Sequence, residues 1–327
     1  MTAATVSARA GGAACDVTLH HQVAGAAFRA SVDLVGGGLR ALTLAGVDLV
    51  ETYPAGQAAP NCSGAILFPW PNRVRDARWT QRGVDHELVI TERARGNANH
   101  GLVLRAPFLI DHQTESEVTV SVSVAPQPGY PYQLRLQVTY RLTDSGLDVA
   151  YRVTNESAWP TPIALGAHPY LRIGDCPTAD LTVQVAADTY FDVDAQLIPT
   201  SERPVAGTHL DLRAARIIGD VALNTCFGQL DVVDDQSRTI VAAPDGRALE
   251  LWADRSFGYV QIYTCPTFPR RASTELALAV EPMTAPADAL NSGWGLRWLE
   301  PEDEWEASWG IRPCGRADSW NQQGSGQ

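Results

Sequence analysis

The sequence predicts an all-β protein made of antiparallel sheets packed face to face. Three observations carry this: apolar and polar residues alternate with period two at many points, glycine- and proline-rich breaks separate those runs, and no helix-period pattern of ordinary length competes. Val118, Val120, Val122 and Val124 alternate with Thr119, Ser121 and Ser123, and Leu134, Leu136, Val138 and Tyr140 alternate with Arg135, Gln137 and Thr139. The segment between them, APQPGYP, is rich in turn formers, and a third strand at 147–153 follows the short break Asp144–Gly146. Further strands are expected at 27–34, 39–43, 86–91, 162–166, 181–187, 238–243, 248–252, 258–264 and 275–280, with a hairpin turn at Pro244-Asp245-Gly246-Arg247 and short helical turns near 210–216 and 286–291. No internal repeat or linker divides the chain, so residues 1–327 are expected to form a single sandwich domain with 1–15 and 312–327 peripheral, Trp320 being a candidate anchor for the tail.

Composition narrows the function. With 45% hydrophobic and 19% charged residues the chain is an ordinary globular one, and 37 acidic against 25 basic residues give a formal charge of -12. Such a field disfavours nucleic acid and anionic membranes as partners. The N-terminus lacks the basic start and apolar stretch of a signal peptide, and no run is long enough to span a membrane, so a cytoplasmic location is expected. The six cysteines (Cys15, Cys62, Cys176, Cys226, Cys265, Cys314) are scattered without a CxxC pair and read as small buried hydrophobes. Nucleotide-loop, HExxH and EF-hand spacings are absent, and no cofactor or metal is called for.

Four polar constellations stand out. In Phe68-Pro-Trp-Pro-Asn72-Arg73, prolines fix the backbone and Arg73 offers a fork of donors suited to vicinal hydroxyls, although a solvated loop arginine would look the same. In Asn97-Ala-Asn-His100-Gly101, a histidine beside glycine suits a tight turn that presents an imidazole or makes a structural hydrogen bond. In Ala164-Leu-Gly-Ala-His168-Pro-Tyr170, a strand-like segment ends in a histidine whose ordinary pKa of about 6.5 suits a general acid. In Leu276-Ala-Leu-Ala-Val280-Glu281-Pro282, an apolar strand delivers a carboxylate at its end, a base or a salt-bridged structural residue.

Taken in order, FPWPNRVRDARW, NANHGLV, YPYQLRLQVTYRL with GLDVAYRVTN, LGAHPYLRIG and LAVEPMTAPADALNSG resemble segments of the aldose 1-epimerase (mutarotase) family over about residues 25–300. The resemblance implies a large antiparallel β-supersandwich of galactose mutarotase-like form, no cofactor, and interconversion of the α and β anomers of a free monosaccharide by a monomer or homodimer. It further implies Glu281 as general base, His168 as general acid, and His100 and Arg73 holding the sugar, with Asn72 and Tyr170 beside them. The family often carries an aspartate in a segment resembling LDxxF. Here the match is Leu223-Asn224-Thr-Cys-Phe227, so a neutral Asn224 stands at a position that binds sugar hydroxyls. Two other readings stay open: a hexose-6-phosphate 1-epimerase, for which Arg73, Arg75, Arg78, Arg270 and Arg271 could supply positive charge, and a sugar-binding or sensing protein without catalysis.

Overall fold

Alternation along the strands fixes two large sheets. The structure, a computed structural model, describes residues 16–23, 25–270, 273–315 and 320. In the first sheet nine strands follow the order Leu109–Gln113, Glu117–Val124, Leu134–Thr143, Gly146–Asn155, Glu304–Gly315, Arg247–Asp254, Gln236–Ala242, Thr182–Val185 and Arg216–Ile217. The second runs Pro199–Pro204, Ala187–Val193, Asn224–Leu230, Tyr259–Arg270, Ser273–Met283, Gly166–Ala167 and Ile66–Leu67, with Tyr170–Leu171 also pairing the strand Ser273–Met283. A third, four-stranded sheet comprises Asp16–Val23, Ala26–Asp33, Leu39–Leu44 and Val47–Asp48. The ladders are antiparallel, as the hairpin-rich sequence requires.

The expected alternation is seen residue by residue. Leu134, Leu136, Val138, Tyr140 and Leu142 are buried and belong to one continuous core, while Arg135 and Arg141 between them face out. The Asp144-Ser145 connection closes the hairpin that pairs Thr143 with Gly146, and Pro244–Gly246 closes another in which the Arg247 amide donates to Asp245 Oδ1 at 3.0 Å.

Several expectations need correction. Pairing in the 86–91 region covers only Val84–Glu87; beyond it the chain leaves the ladder, exposing Val89 and Ile90. No helix forms at 210–216, where the chain bends into the short strand Arg216–Ile217, whereas a single helical turn, Ala289–Ser292, lies in the 286–291 region. Residues 312–315, expected at the periphery, complete a strand seated between Gly146–Asn155 and Arg247–Asp254. Trp320 is buried, and its indole N–H donates to the Cys314 carbonyl at 3.1 Å. Residues 1–15 with Cys15, Arg271, and 321–327 lie outside the described residues.

What positions the site is the central hairpin of the second sheet, Tyr259–Arg270 with Ser273–Met283. Val260, Ile262, Leu278 and Val280 point into the main core. Cys265, Ala277 and Ala279 lie on the opposite face with Tyr170 and Phe268. The strand continues through Glu281 to Met283, so the carboxylate sits within a paired strand and not at its end.

Because Ile262 is fully buried beneath this hairpin, Ile262→Ala is expected to lower unfolding free energy by about 2–5 kcal/mol. A urea titration would show a lower midpoint, while Val89→Ala at its exposed position stays within about 0.5 kcal/mol of wild type.

Candidate active site

Strand register places the first polar groups. Gln261 is directly opposite both Glu281 on one neighbouring strand and Cys226 on the other, so these three share one row across the sheet. Two rows along, and so on the same face, Asn224, Tyr263 and Ala279 are likewise aligned. Gln261 is buried and acts as the link: its Nε2 donates to Asn224 Oδ1 at 2.8 Å, and its Oε1 accepts from Asn72 Nδ2 at 3.5 Å.

Above this face lie the two turns singled out by their motifs. The Phe68–Pro69 bond is cis, and both Asn72 (φ 55°) and His100 (φ 62°) adopt the left-handed backbone that non-glycine residues seldom occupy. They hold each other there: the His100 amide donates to the Asn72 carbonyl at 2.8 Å, and the Asn72 amide donates to His100 Nδ1 at 3.2 Å. Gly101 is required next, because a Cβ would come within 2.0 Å of the Phe68 carbonyl oxygen. With Nδ1 accepting, the proton of a neutral His100 ring sits on Nε2.

Arg73 is braced as well as presented. Its Nε and Nη2 donate to Glu92 Oε2 (2.8 Å) and Oε1 (3.0 Å), and Nη1 donates to Asn72 Oδ1 at 2.9 Å. The fork expected to meet substrate is therefore taken by Glu92, which leaves two of the five N–H donors for a ligand. Fully buried Asn97 steadies Glu92, with Nδ2 donating to its Oε2 at 3.1 Å.

The catalytic candidates meet at the centre. His168 Nε2 lies 3.4 Å from Glu281 Oε1, both side chains being almost wholly buried. The His168 ring stacks on Tyr170 at 5.2 Å between centroids and meets the His100 ring edge-on at 5.4 Å. Glu281 Oε2 and His168 Nδ1 are buried with no hydrogen-bond partner on another described residue, an arrangement that a ligand's hydroxyls could complete. Desolvation dominates the electrostatics: it pushes Glu281 up to about 8, a rise that the positive charge of Arg73 opposes, and His168 down to about 4. Burial, aided by His168 and Arg73, also drives His100 well below its ordinary range and keeps it neutral.

Of the residues expected from sequence, His168, Glu281, Asn72, His100 and Arg73 are thus brought together directly. Asn224 joins through Gln261, and Tyr170 backs His168, its hydroxyl donating to the Asn61 carbonyl at 3.4 Å. Gln261 and Glu92 were not singled out, and Asn97 was named only as the first residue of the His100 motif. Gln261 had a signal, being a polar residue inside an apolar strand, but its importance depends on a register with Glu281 that sequence alone does not give. Cys226 and Cys265 are buried as expected, whereas Cys62, Cys176 and Cys314 are only partly so. Among the described residues no group of three or more His, Cys, Asp or Glu side chains could hold a metal ion, and no helix is long and apolar enough to cross a membrane.

Fold and site define a protein of large antiparallel sheets with a buried carboxyl–imidazole pair ringed by neutral and cationic donors. The chain belongs to the aldose 1-epimerase family, whose family model matches residues 18–312. It is 30% identical over 274 residues to the Escherichia coli K12 protein YihR, covering 84% of this chain and 86% of that one. It is also 30% identical over 219 residues to human galactose mutarotase, covering 62% and 61% respectively. Among solved structures it resembles a GalM/aldose epimerase homologue from C. elegans (TM-score 0.80, 18% identity, 92% of this chain and 99% of that one). A galactose 1-epimerase from Lactobacillus acidophilus is similar at TM-score 0.74 and 17% identity, over 93% of this chain and 99% of that one. The fold is accordingly the galactose mutarotase-like β-supersandwich.

The Glu281 pKa has a consequence for stability. With a folded pKa of about 8 against an ordinary 4.5, Glu281 is neutral in both states below 4.5; as pH rises toward 8 the unfolded chain ionises first and the fold loses stability. Glu281→Gln removes that loss, so its Tm relative to wild type should increase from pH 5 to pH 8 in parallel thermal melts.

Proposed function

We propose that this chain anomerises a free aldohexose such as glucose or galactose, with Glu281 as general base and His168 as general acid. The observation that carries the reading is the buried pair itself, 3.4 Å apart, each member with one unpartnered polar atom. Glu281 takes the proton of the C1 hydroxyl while His168 protonates the ring oxygen. The C1–O5 bond breaks, the open-chain aldehyde turns about C1–C2, and closure on the other face returns both protons.

Proton bookkeeping supports this assignment. The pair carries one proton throughout, on His168 while the ring is closed and on Glu281 while it is open. Desolvation alone favours the uncharged arrangement, with the proton on Glu281. Hydrogen bonds from sugar hydroxyls to the carboxylate favour the charged one. The two arrangements are thereby drawn closer in energy when sugar is bound, as reversible ring opening requires. His100 Nε2, the free donors of Arg73, and Asn224 with Gln261 supply hydroxyl contacts, and fixing the ring among them contributes through orientation.

A phosphate site in the expected arginine group is disfavoured by the ion pairs. Arg73 is held by Glu92, Arg75 by Asp194 at 2.6 Å, Arg78 by Glu87 at 2.6 Å, and Arg270 by Glu51 and Glu275. Each of these four arginines thus has a carboxylate partner with which a phosphate would have to compete, and Arg271 lies outside the described residues.

Polarimetry on fresh α-glucose and α-galactose tests the proposal. Glu281→Gln and His168→Asn should each reduce turnover about 10²–10⁴-fold while sugar binding remains measurable by calorimetry. Near-normal turnover in either variant would remove that residue from its role. Because the one-proton pair is the active form, the pH profile of kcat/KM should be bell-shaped, falling toward acid as a second proton enters near 4 and toward alkali as the last leaves near 8.

A further inference from the structure

A cleft of about 350 Å³ lies beside the acid–base pair, bounded by the turn at 33–35, the loop 56–62 and the segment 104–105. Two contacts relate it to the site, a backbone hydrogen bond and an electrostatic one. Ala65 in its wall accepts the His168 amide proton at 3.0 Å through its carbonyl. Cys62, also in its wall, is close enough to Glu281 and to Arg105 for both charges to act on the thiol. Most of the lining is small and apolar, and its cationic side chain is Arg105.

Arg105 differs from the arginines discussed above, since it makes no ion pair or hydrogen bond with any described residue. Its backbone is nevertheless held firmly. The Leu102 amide donates to the Phe68 carbonyl at 2.7 Å, the Ala106 amide to the Val103 carbonyl at 3.0 Å, and the Gly36 amide to the Ala106 carbonyl at 2.8 Å. The same segment carries His100 at its start, so the backbone from which the exposed Arg105 side chain projects is fixed relative to the proposed sugar site. The cleft's own carboxylate, Asp33, is engaged elsewhere: its Oδ1 accepts the Val35 amide at 2.8 Å, and Tyr53 hydrogen-bonds to it.

We propose that this cleft receives a singly charged acidic group carried by the aldose away from C1, with Arg105 as its counter-charge, so that the preferred substrate is a sugar acid of the hexuronate kind. A lone guanidinium matches one carboxylate bidentately, whereas a phosphate dianion would call for a second cation. In a chain of formal charge -12, an unpaired cation at the site's margin also offsets the general repulsion of an anionic substrate. This inference rests on the anomerase reading and narrows its substrate.

The test measures kcat/KM for anomerisation of glucuronate, glucose 6-phosphate and glucose by wild type, Arg105→Ala and Arg105→Lys, together with calorimetric binding of glucuronate and glucose to wild type and Arg105→Ala. Wild type should favour glucuronate over glucose at least tenfold and over glucose 6-phosphate as well. Arg105→Ala should reduce the glucuronate-to-glucose ratio at least tenfold, chiefly through KM, with Arg105→Lys intermediate and the ratio falling with added salt. Equal handling of glucuronate and glucose by wild type, or an Arg105→Ala ratio unchanged in both turnover and binding, would overturn the inference while leaving the anomerase reading intact. Binding of glucuronate through Arg105 without turnover of any sugar would overturn the anomerase reading while upholding the cleft as the place where the acidic group is held.

Discussion

Burying one carboxyl and one imidazole within 3.4 Å of each other is the constraint on which the rest of this site depends. Either charge alone would be costly in so dry a place, so burial drives both groups toward neutrality and leaves a single proton to be placed. Everything nearby is arranged to keep the pair close without satisfying it. Tyr170 stacks on the histidine, the ladder with Gln261 fixes the glutamate, and one polar atom on each is left open. Unpaired buried atoms of that kind reduce stability, and the sheet around them has the apolar burial to tolerate it.

The scaffold achieves this by dividing its strands' two faces between unlike tasks. Along Ser273–Met283, Leu278 and Val280 tie the strand into the main core, while Ala277 and Ala279 on the other face, the face that carries Glu281, pack under Tyr170 and Phe268. The groups above that face come from turns with left-handed residues at Asn72 and His100, which hold each other through reciprocal hydrogen bonds. Rigid strands thus set the floor, and strained but mutually braced turns set the roof.

Much of this was legible in the sequence because period-two alternation survives wherever one face of a strand is buried. Val118–Val124 and Leu134–Tyr140 were read that way, and the FPWPN, NANHG, GAHPY and VEP segments marked residues that the fold then gathers. What escaped has physical reasons. Glu304–Gly315 alternates too, with Trp305, Ala307, Trp309 and Ile311 turned to the core and Glu304, Glu306 and Ser308 to the other face, but its place in mid-sheet depends on pairing with Gly146–Asn155 and Arg247–Asp254, which is a long-range fact. Gln261 matters only through its register with Glu281 and its reach to Asn72 and Asn224, both long-range facts. Likewise, the Arg73 fork looked free because Glu92, nineteen residues on, gives no local sign of folding back onto it.

The central claim, that a single proton resides on the empty pair and sits on Glu281, is open to one direct measurement. Infrared difference spectra of wild type against Glu281→Gln, recorded from pH 6 to pH 9 without sugar, should contain a protonated-carboxyl band at pH 6 to 7 that disappears near pH 8. A Glu281 signal that is carboxylate over the whole range would contradict it, placing the resting proton on His168 or leaving the pair with none.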